Sequence, residues 1–97
     1  MKFSKLDPLL NTPVRLAVVS ILSQLESADF RFLKEQTDTT QGNLSHQLKK
    51  LKEAAYIKVK KSFENNYPKT TCSLSPKGRK AFEDYIEAMK PYLNLGK

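Results

Sequence analysis

The residues of this sequence that are best suited to binding a partner are basic, and they are concentrated in the middle of the chain. Ten of the 17 lysines and arginines lie between residues 40 and 80, together with only two acids, Glu53 and Glu64. This segment therefore carries a net charge of +8, compared with +7 for all 97 residues. A localised excess of cations is the electrostatic footprint expected of a protein with a polyanionic partner. The alternative interpretation is a solvated, lysine-rich surface.

Composition argues against catalysis and metal binding. One histidine and one cysteine, His46 and Cys72, cannot supply the three or four nitrogen and sulfur ligands of a metal cluster. The three glycines form neither a dinucleotide fingerprint nor a phosphate-binding loop. The carboxylates are scattered, without a pair suited to general acid–base work. We therefore expect a protein that is not an enzyme, with no catalytic residue, no metal site and no cofactor.

The length and the apolar pattern predict one domain that is not a membrane protein. A chain of 97 residues corresponds to a single domain. Its longest apolar run, residues 16–19, is far shorter than the roughly 20 residues of a membrane span, and no secretory signal opens the chain. The single cysteine excludes an intrachain disulfide and suggests a reducing compartment, so we expect a cytoplasmic protein. Cys72 itself is interpreted as a small buried hydrophobe rather than a redox sensor.

Helical periodicity predicts three helices before the first strand. The first begins after Asn11-Thr12, with Pro13 at its first position. The second is capped by Asp29 and extends to about Gln36. The third follows a polar turn and covers about residues 41–54, with leucines on one side and polar or basic residues on the other.

The periodicity then changes from 3.6 to 2, which predicts a β-hairpin followed by a long helix. Apolar and basic residues alternate from Ile57 to Phe63, turn residues follow, and residues 70–74 form the return strand. Lys61 falls on the apolar side of this alternation, which suggests a local twist. Ser75-Pro76 begins the C-terminal helix, which Pro91 should end or kink. The predicted fold class is mainly α with a small β-hairpin (α+β).

Four stretches of the sequence resemble the small MarR/ArsR-like winged helix-turn-helix transcriptional regulators of bacteria and archaea. They are residues 11–16 (NTPVRL), 42–45 (GNLS), 68–71 (PKTT) and 74–82 (LSPKGRKAF), within a likeness that covers roughly residues 7–95. The resemblance implies one winged-helix domain over residues 1–97, with three helices, a two-stranded wing and a long C-terminal helix. It further implies a homodimer, formed by the terminal helices, that binds double-stranded DNA at a pseudo-palindromic operator. The third helix would lie in the major groove.

The resemblance also defines candidate site residues. A recognition helix needs short polar side chains at its N-terminus for base edges and cations farther along for phosphates. The candidates in and before the third helix are Thr40, Gln41, Gly42, Asn43, Ser45, His46, Lys49 and Lys50. Candidate wing residues are Lys58, Lys60, Lys61, Lys69 and Thr70. The candidate dimer interface comprises Leu16, Val19, Ala81, Tyr85, Ala88, Met89 and Tyr92.

The sequence departs from the family pattern at two features. Ala55 stands where family members often have glycine after the recognition helix, and a left-handed alanine there would cost up to about 1 kcal/mol. The metal-sensing cysteine pairs of many ArsR-type members are absent, and the residues indicate no particular small-molecule effector.

Two alternative functions remain open. One alternative is a winged helix that binds protein. The other is an RNA-binding domain, which exposed aromatic residues among the basic ones would favour; only Tyr67 is expected to be exposed.

Overall fold

The fold consists of four helices and a small antiparallel sheet. The computed structural model describes residues 3–93, so the last two positions of the family likeness, 94 and 95, lie outside it. The elements, in chain order, are α1 (Pro13–Gln24), β1 (Ala28–Asp29), α2 (Phe30–Thr37), α3 (Gln41–Glu53), β2 (Ile57–Glu64), β3 (Tyr67–Leu74) and α4 (Pro76–Leu93). The predicted long C-terminal helix is α4. It continues through Pro91 to Leu93, so the proline does not end it there.

The sheet has three strands in the order β1-β3-β2, where the sequence predicted two. The extra strand is short: Ala28 pairs with Cys72 and Asp29 with Thr71. Two residues cannot show the alternation that identifies a strand, so the sequence indicated only a break between helices. Asp29 also caps α2, since its Oδ1 accepts a hydrogen bond of 2.8 Å from the backbone N–H of Phe32. The start of α2 is thereby attached to the edge of the wing.

The hairpin of β2 and β3 is regular along its whole length. Pairing is continuous from Ile57 with Leu74 to Glu64 with Tyr67. The two turn residues, Asn65 and Asn66, have φ values of 53° and 67°, which is the backbone that a type I′ hairpin turn requires. No bulge explains the position of Lys61, so the twist suggested by the sequence is not needed. Lys61 lies on the same face of the sheet as Val59 because the two residues are two positions apart on the strand.

The core lies where the leucines of the first three helices meet the sheet. Its fully buried side chains are Leu10, Val18, Val19, Leu22, Leu33, Leu44, Leu51 and Cys72. Cys72 is therefore a buried hydrophobe, as predicted, and burial raises the pKa of its thiol to about 11.

Two of the predicted dimer-interface residues belong to this core. Val19 is completely inaccessible, and only 5% of Tyr85 is exposed. The sequence prediction for Val19 was wrong, because a second apolar face on a helix can mean either deeper burial or a subunit contact, and here it means burial within the chain. Tyr85 belongs to the core but also lines the groove between α1 and α4, so its place at a dimer interface stays a prediction.

Three tyrosine hydroxyls attach the segment before α1 to the rest of the fold. Tyr56 Oη donates to Asp7 Oδ2 at 2.6 Å, and Tyr85 Oη donates to Asn11 Oδ1 at 2.9 Å. Tyr92 Oη donates to the carbonyl oxygen of Ser4 at 3.1 Å. Desolvation, together with the bond to Asp7, raises the pKa of Tyr56 to about 12. Tyr92, which was predicted as a dimer contact, thus bonds within its own chain while 44% of it stays exposed.

The connection from α3 to β2 is a tight turn that packs directly on the start of α4. Ala55 has φ of 63°, so it adopts the left-handed conformation that its position in the family pattern suggested. Ser75 Oγ donates to the carbonyl oxygen of Ala55 at 2.6 Å and accepts from the N–H of Gly78 at 2.9 Å. These bonds fix the direction in which α4 leaves the turn after α3.

Candidate nucleic-acid interface

The candidate recognition residues lie together on the outer side of α3. The helix is capped by Thr40, whose Oγ1 accepts from the backbone N–H of Asn43 at 3.1 Å. The exposed residues of this side are Gln41, Gly42, Ser45, His46, Lys49 and Lys50. They occupy one half of the helix, while Leu44, Leu48 and Leu51 fill the opposite side. Short polar groups therefore precede lysines along one accessible face.

Gly42 has no packing role in the described part of the chain. A Cβ built at this position would meet nothing within 4 Å. Glycine inside a helix costs about 1 kcal/mol relative to alanine, and no close contact within the fold offsets that cost. The absence of a side chain matters only to something that approaches the exposed side of α3 closely.

Asn43 is only half exposed, and its amide is already hydrogen-bonded. Its Nδ2 donates to Thr39 Oγ1 at 2.8 Å, and its Oδ1 accepts from Gln47 Nε2 at 3.0 Å. Gln47 Oε1 in turn accepts from the guanidinium of Arg15. The sequence prediction included neither Gln47 nor Arg15. The repeat of polar residues at positions 39, 43 and 47 was the available signal, because residues four apart are neighbours on a helix.

The predicted wing residues are divided between the two faces of the sheet. Lys61 and its cross-strand partner Thr70 line a cleft of about 280 Å³ between the wing and α3. Lys49 and Lys52 line the same cleft from the helix side, and Lys52 was not among the predicted residues. Lys58, Lys60 and Lys69 line a depression on the other face of the sheet. The wing and α3 therefore share a basic cleft that Lys61 lines, and Lys58 and Lys60 do not contribute to it.

Most of the central positive charge is not neutralised within the chain. Among residues 3–93, no carboxylate forms an ion pair with any of six lysines: Lys49, Lys50, Lys52, Lys58, Lys60 and Lys61. Lys69 differs, because its Nζ lies 2.7 Å from Glu64 Oε2. That hydrogen bond raises the pKa of Lys69 above its usual value. Lys69 thus differs from the other candidate wing lysines in having an ion-pair partner among residues 3–93.

The end of the hairpin carries two exposed aromatic residues. Phe63 is 78% exposed and Tyr67 is 75% exposed, whereas the sequence predicted exposure only for Tyr67. The alternation placed Phe63 on the apolar face, but at the end of β2 that face has no core residue against it. Tyr67 also lines an open groove of about 610 Å³ with Gln41 and Ser45 of α3, Arg31 of α2 and Lys69 of β3.

Two depressions contain most of the predicted dimer-interface residues, and Tyr85 lines both of them. Leu16 and Met89 line a mostly apolar groove of about 440 Å³ between α1 and α4, together with Ile86 and Leu93. Ala88 lines a separate depression with Asp84 and Tyr56, and Ala81 borders the same depression. Ile86 and Leu93 of α4 are 44% and 73% exposed. On the side formed by α1 and α4, the accessible apolar surface is therefore this groove.

Two further features, a metal-binding cluster and a membrane-spanning helix, were sought among residues 3–93. In residues 3–93, no three His, Cys, Asp or Glu side chains lie close enough together to hold a metal ion. None of the four helices has both the length and the apolar character needed to cross a lipid bilayer.

Comparison with known proteins identifies a family whose fold agrees with the helices and hairpin described above. The family model described as a winged helix DNA-binding domain matches residues 14–93. An uncharacterized protein of Methanocaldococcus jannaschii is 42% identical over 76 residues, which are 78% of this chain and 83% of that protein.

Solved structures share the fold at lower identity. A transcriptional regulator homologue from Pyrococcus horikoshii OT3 superimposes with a TM-score of 0.82 at 23% identity, over 89% of this chain and 85% of that one. A MarR-family transcriptional regulator from Silicibacter pomeroyi superimposes with a TM-score of 0.67 at 18% identity, over 91% of this chain and 60% of that one. The family match spans every element from α1 to α4, including the helix and hairpin that carry the exposed lysines. This chain belongs to the family of winged-helix DNA-binding domains.

Proposed function

We propose that this protein is a transcriptional regulator that binds specific sequences of double-stranded DNA. The observation that carries the proposal is the outer face of α3, where Gln41, Ser45 and His46 precede lysines that have no ion-pair partner among residues 3–93. Polar side chains at the start of such a helix suit the edges of bases in the major groove, and the later cations suit phosphates. Family membership supports the same assignment.

The two faces of the wing divide its work. Lys61 shares the cleft with Lys49 and Lys52, so it would bind the phosphates beside the groove that α3 occupies. Lys58 and Lys60 lie on the other face and would bind the adjacent backbone. Such contacts position the protein and contribute to affinity for every sequence, whereas base contacts from α3 would determine preference.

The proposal includes a homodimer formed around the α1–α4 groove. Exposed Ile86 and Leu93 continue the apolar surface of Leu16 and Met89, and a two-fold axis at this groove would cover it in both copies. The two α3 helices would then meet successive major grooves of a pseudo-palindromic site. A regulator of this kind acts where the chromosome is, which agrees with the cytoplasmic location expected from the sequence.

Selection of DNA fragments by the purified protein tests the proposal. We expect recovery of a shared motif from genomic duplex fragments. His46→Ala should reduce preference for that motif while nonspecific affinity remains, and Lys60→Ala should weaken binding to all sequences. Uniform weakening by His46→Ala would contradict the assignment of α3 as the recognition helix.

One observation favours a second candidate, binding to single-stranded nucleic acid. Phe63 and Tyr67 are exposed at the end of a basic hairpin, and bases of single strands stack on such side chains. Competition separates the two functions: duplex DNA should displace a labelled duplex far better than RNA or single-stranded DNA of the same length. Equal or better displacement by a single strand, abolished in Phe63→Ala, would support the second candidate instead.

A further inference from the structure

Arg15 is an unusual residue in the core-facing part of α1. It is only 9% exposed, although arginine is rarely buried without partners. Its Nε donates to the carbonyl oxygen of Leu9 at 2.6 Å, and its Nη1 donates to Gln47 Oε1 on α3. It forms no ion pair with a carboxylate of residues 3–93. The guanidinium thus connects the segment before α1 to the middle of the recognition helix.

The contact with Arg15 imposes a direction on a chain of hydrogen bonds. A guanidinium donates and cannot accept, so Gln47 must turn its oxygen toward Arg15 and its nitrogen the other way. Gln47 Nε2 therefore donates to Asn43 Oδ1 at 3.0 Å, which leaves the nitrogen of Asn43 to donate to Thr39 Oγ1 at 2.8 Å. A single donor-only group at one end fixes the orientation of both amides.

We propose that Arg15 is a positioning residue that sets base preference without touching DNA. The inference rests on the proposed function, because it concerns how Asn43 and Gln47 meet the bases. Each amide retains one N–H and one lone pair after these bonds. An amide of fixed orientation presents its free N–H and its free lone pair in one order along the groove. It therefore matches a neighbouring donor and acceptor on the base edges in one order and not in the reverse, which an A·T pair presents when it is turned to T·A. An amide that can turn over matches both orders and loses that distinction.

Substitutions of Arg15 separate its effect on the orientation of the two amides from its effect on packing. Lysine at position 15 still only donates, so Arg15→Lys should retain the orientation of the amides. Glutamine can donate or accept, so Arg15→Gln should release it, and Arg15→Met should do the same. Arg79→Met is the matched control for loss of one positive charge, because Arg79 lies on α4 and its Nη1 donates to the carbonyl oxygen of Ser23.

Nuclear magnetic resonance of the free protein tests the chain of bonds without DNA. The side-chain amide protons of Asn43 and Gln47 should exchange slowly with water in the wild type and in Arg15→Lys. They should exchange faster in Arg15→Gln and Arg15→Met, while Arg79→Met leaves them unchanged. Wild-type exchange rates in Arg15→Met would overturn the proposal whether or not the protein binds duplex DNA.

Selection from randomised duplexes tests the consequence for recognition. We expect Arg15→Gln and Arg15→Met to lose about tenfold in preference at the base pairs that face Asn43, within the discrimination one amide–base pair provides. Nonspecific affinity should fall only as far as in Arg79→Met. Should Arg15→Met fail to fold in thermal melting, Gln47→Glu supplies the test, because a carboxylate accepts from Arg15 but cannot donate to Asn43. Unchanged base preference in the folded variant would overturn the inference, whereas a wild type with no duplex binding would contradict the proposed function instead.

Discussion

Gly78 at the start of α4 lies directly against the backbone carbonyl of Tyr56, the residue that follows the α3 turn. A Cβ at Gly78 would be 2.0 Å from that oxygen and 2.8 Å from Leu74 Cδ1. The same carbonyl accepts a hydrogen bond of 3.0 Å from the N–H of Ser75. The backbone after α3 and the first turn of α4 are therefore in contact without an intervening side chain. The start of α4 is thus packed directly on the turn that follows α3.

Gly78→Ala should destabilise the fold by about 3 kcal/mol, because the obstructing atoms are backbone and cannot rotate away. Urea unfolding followed by circular dichroism measures the loss. Pro76→Ala, at the exposed first position of α4, is a control within the same turn and should change stability much less. A loss below about 1 kcal/mol for Gly78→Ala would contradict the close contact.

Gly42→Ala should affect stability and binding in opposite directions. The added methyl group meets open space, and alanine favours a helix by about 1 kcal/mol over glycine, so the free energy of unfolding should rise by up to that amount. Affinity for duplex DNA should fall, because the methyl group separates the first turn of α3 from the bases. Denaturant unfolding and a fluorescence binding titration on one preparation provide both values. Gain of stability with unchanged affinity would show that α3 does not approach DNA at Gly42.

Alkaline pH should destabilise the protein through Cys72. The folded thiol has a pKa of about 11 instead of 9.0, so it stays protonated where the unfolded thiol ionises. The stabilising contribution is complete below pH 9 and is lost as the pH rises toward 11. Tyr56, raised from 10.0 to about 12, adds a similar loss at higher pH. Urea midpoints measured between pH 8 and 11 should fall less steeply in Cys72→Ala than in the wild type, and parallel curves would contradict the burial of the thiol.

Ile86→Glu should dissociate the proposed dimer without unfolding the subunit. Ile86 is 44% exposed on the α1–α4 groove, so a carboxylate there is solvated in the monomer but buried without a partner in the dimer. Sedimentation should show a monomer, and affinity for a full operator should fall steeply. Leu25→Glu, at a similarly exposed position beyond the end of α1, is the matched control. A wild type that sediments as a monomer and still binds a full site tightly would contradict the dimer.

Local signals in the sequence were sufficient for the helices and the hairpin. The caps at Asp29 and Thr40 and the alternation that begins at Ile57 depend on neighbouring residues, and each corresponds to an observed element. The two-residue strand β1 was missed because its pairing with Cys72 and Thr71 depends on residues far along the chain.

The site was harder to predict wherever the outcome depends on tertiary contacts. Periodicity could not distinguish the buried Val19 from the half-exposed Leu16, since both follow from how α1 packs on the sheet and α4. Alternation placed Phe63 on the apolar face but could not show that the hairpin end lies beyond the core. The hydrogen bond between Arg15 and Gln47 joins residues 32 positions apart, so no local pattern in the sequence predicts it.

Dependence of duplex affinity on salt concentration tests the central claim most directly. Lysines of α3 and the wing should contact about 4–8 phosphates per dimer, and each contact releases counterions when the complex forms. A logarithmic plot of the association constant against salt concentration should therefore have a slope of about −4 to −7. Lys61→Ala should make this slope shallower by about one, whereas Lys90→Ala, which removes the partner of Glu87 on α4, should leave it unchanged. An affinity for duplex DNA that stays the same between low and high salt would contradict the account.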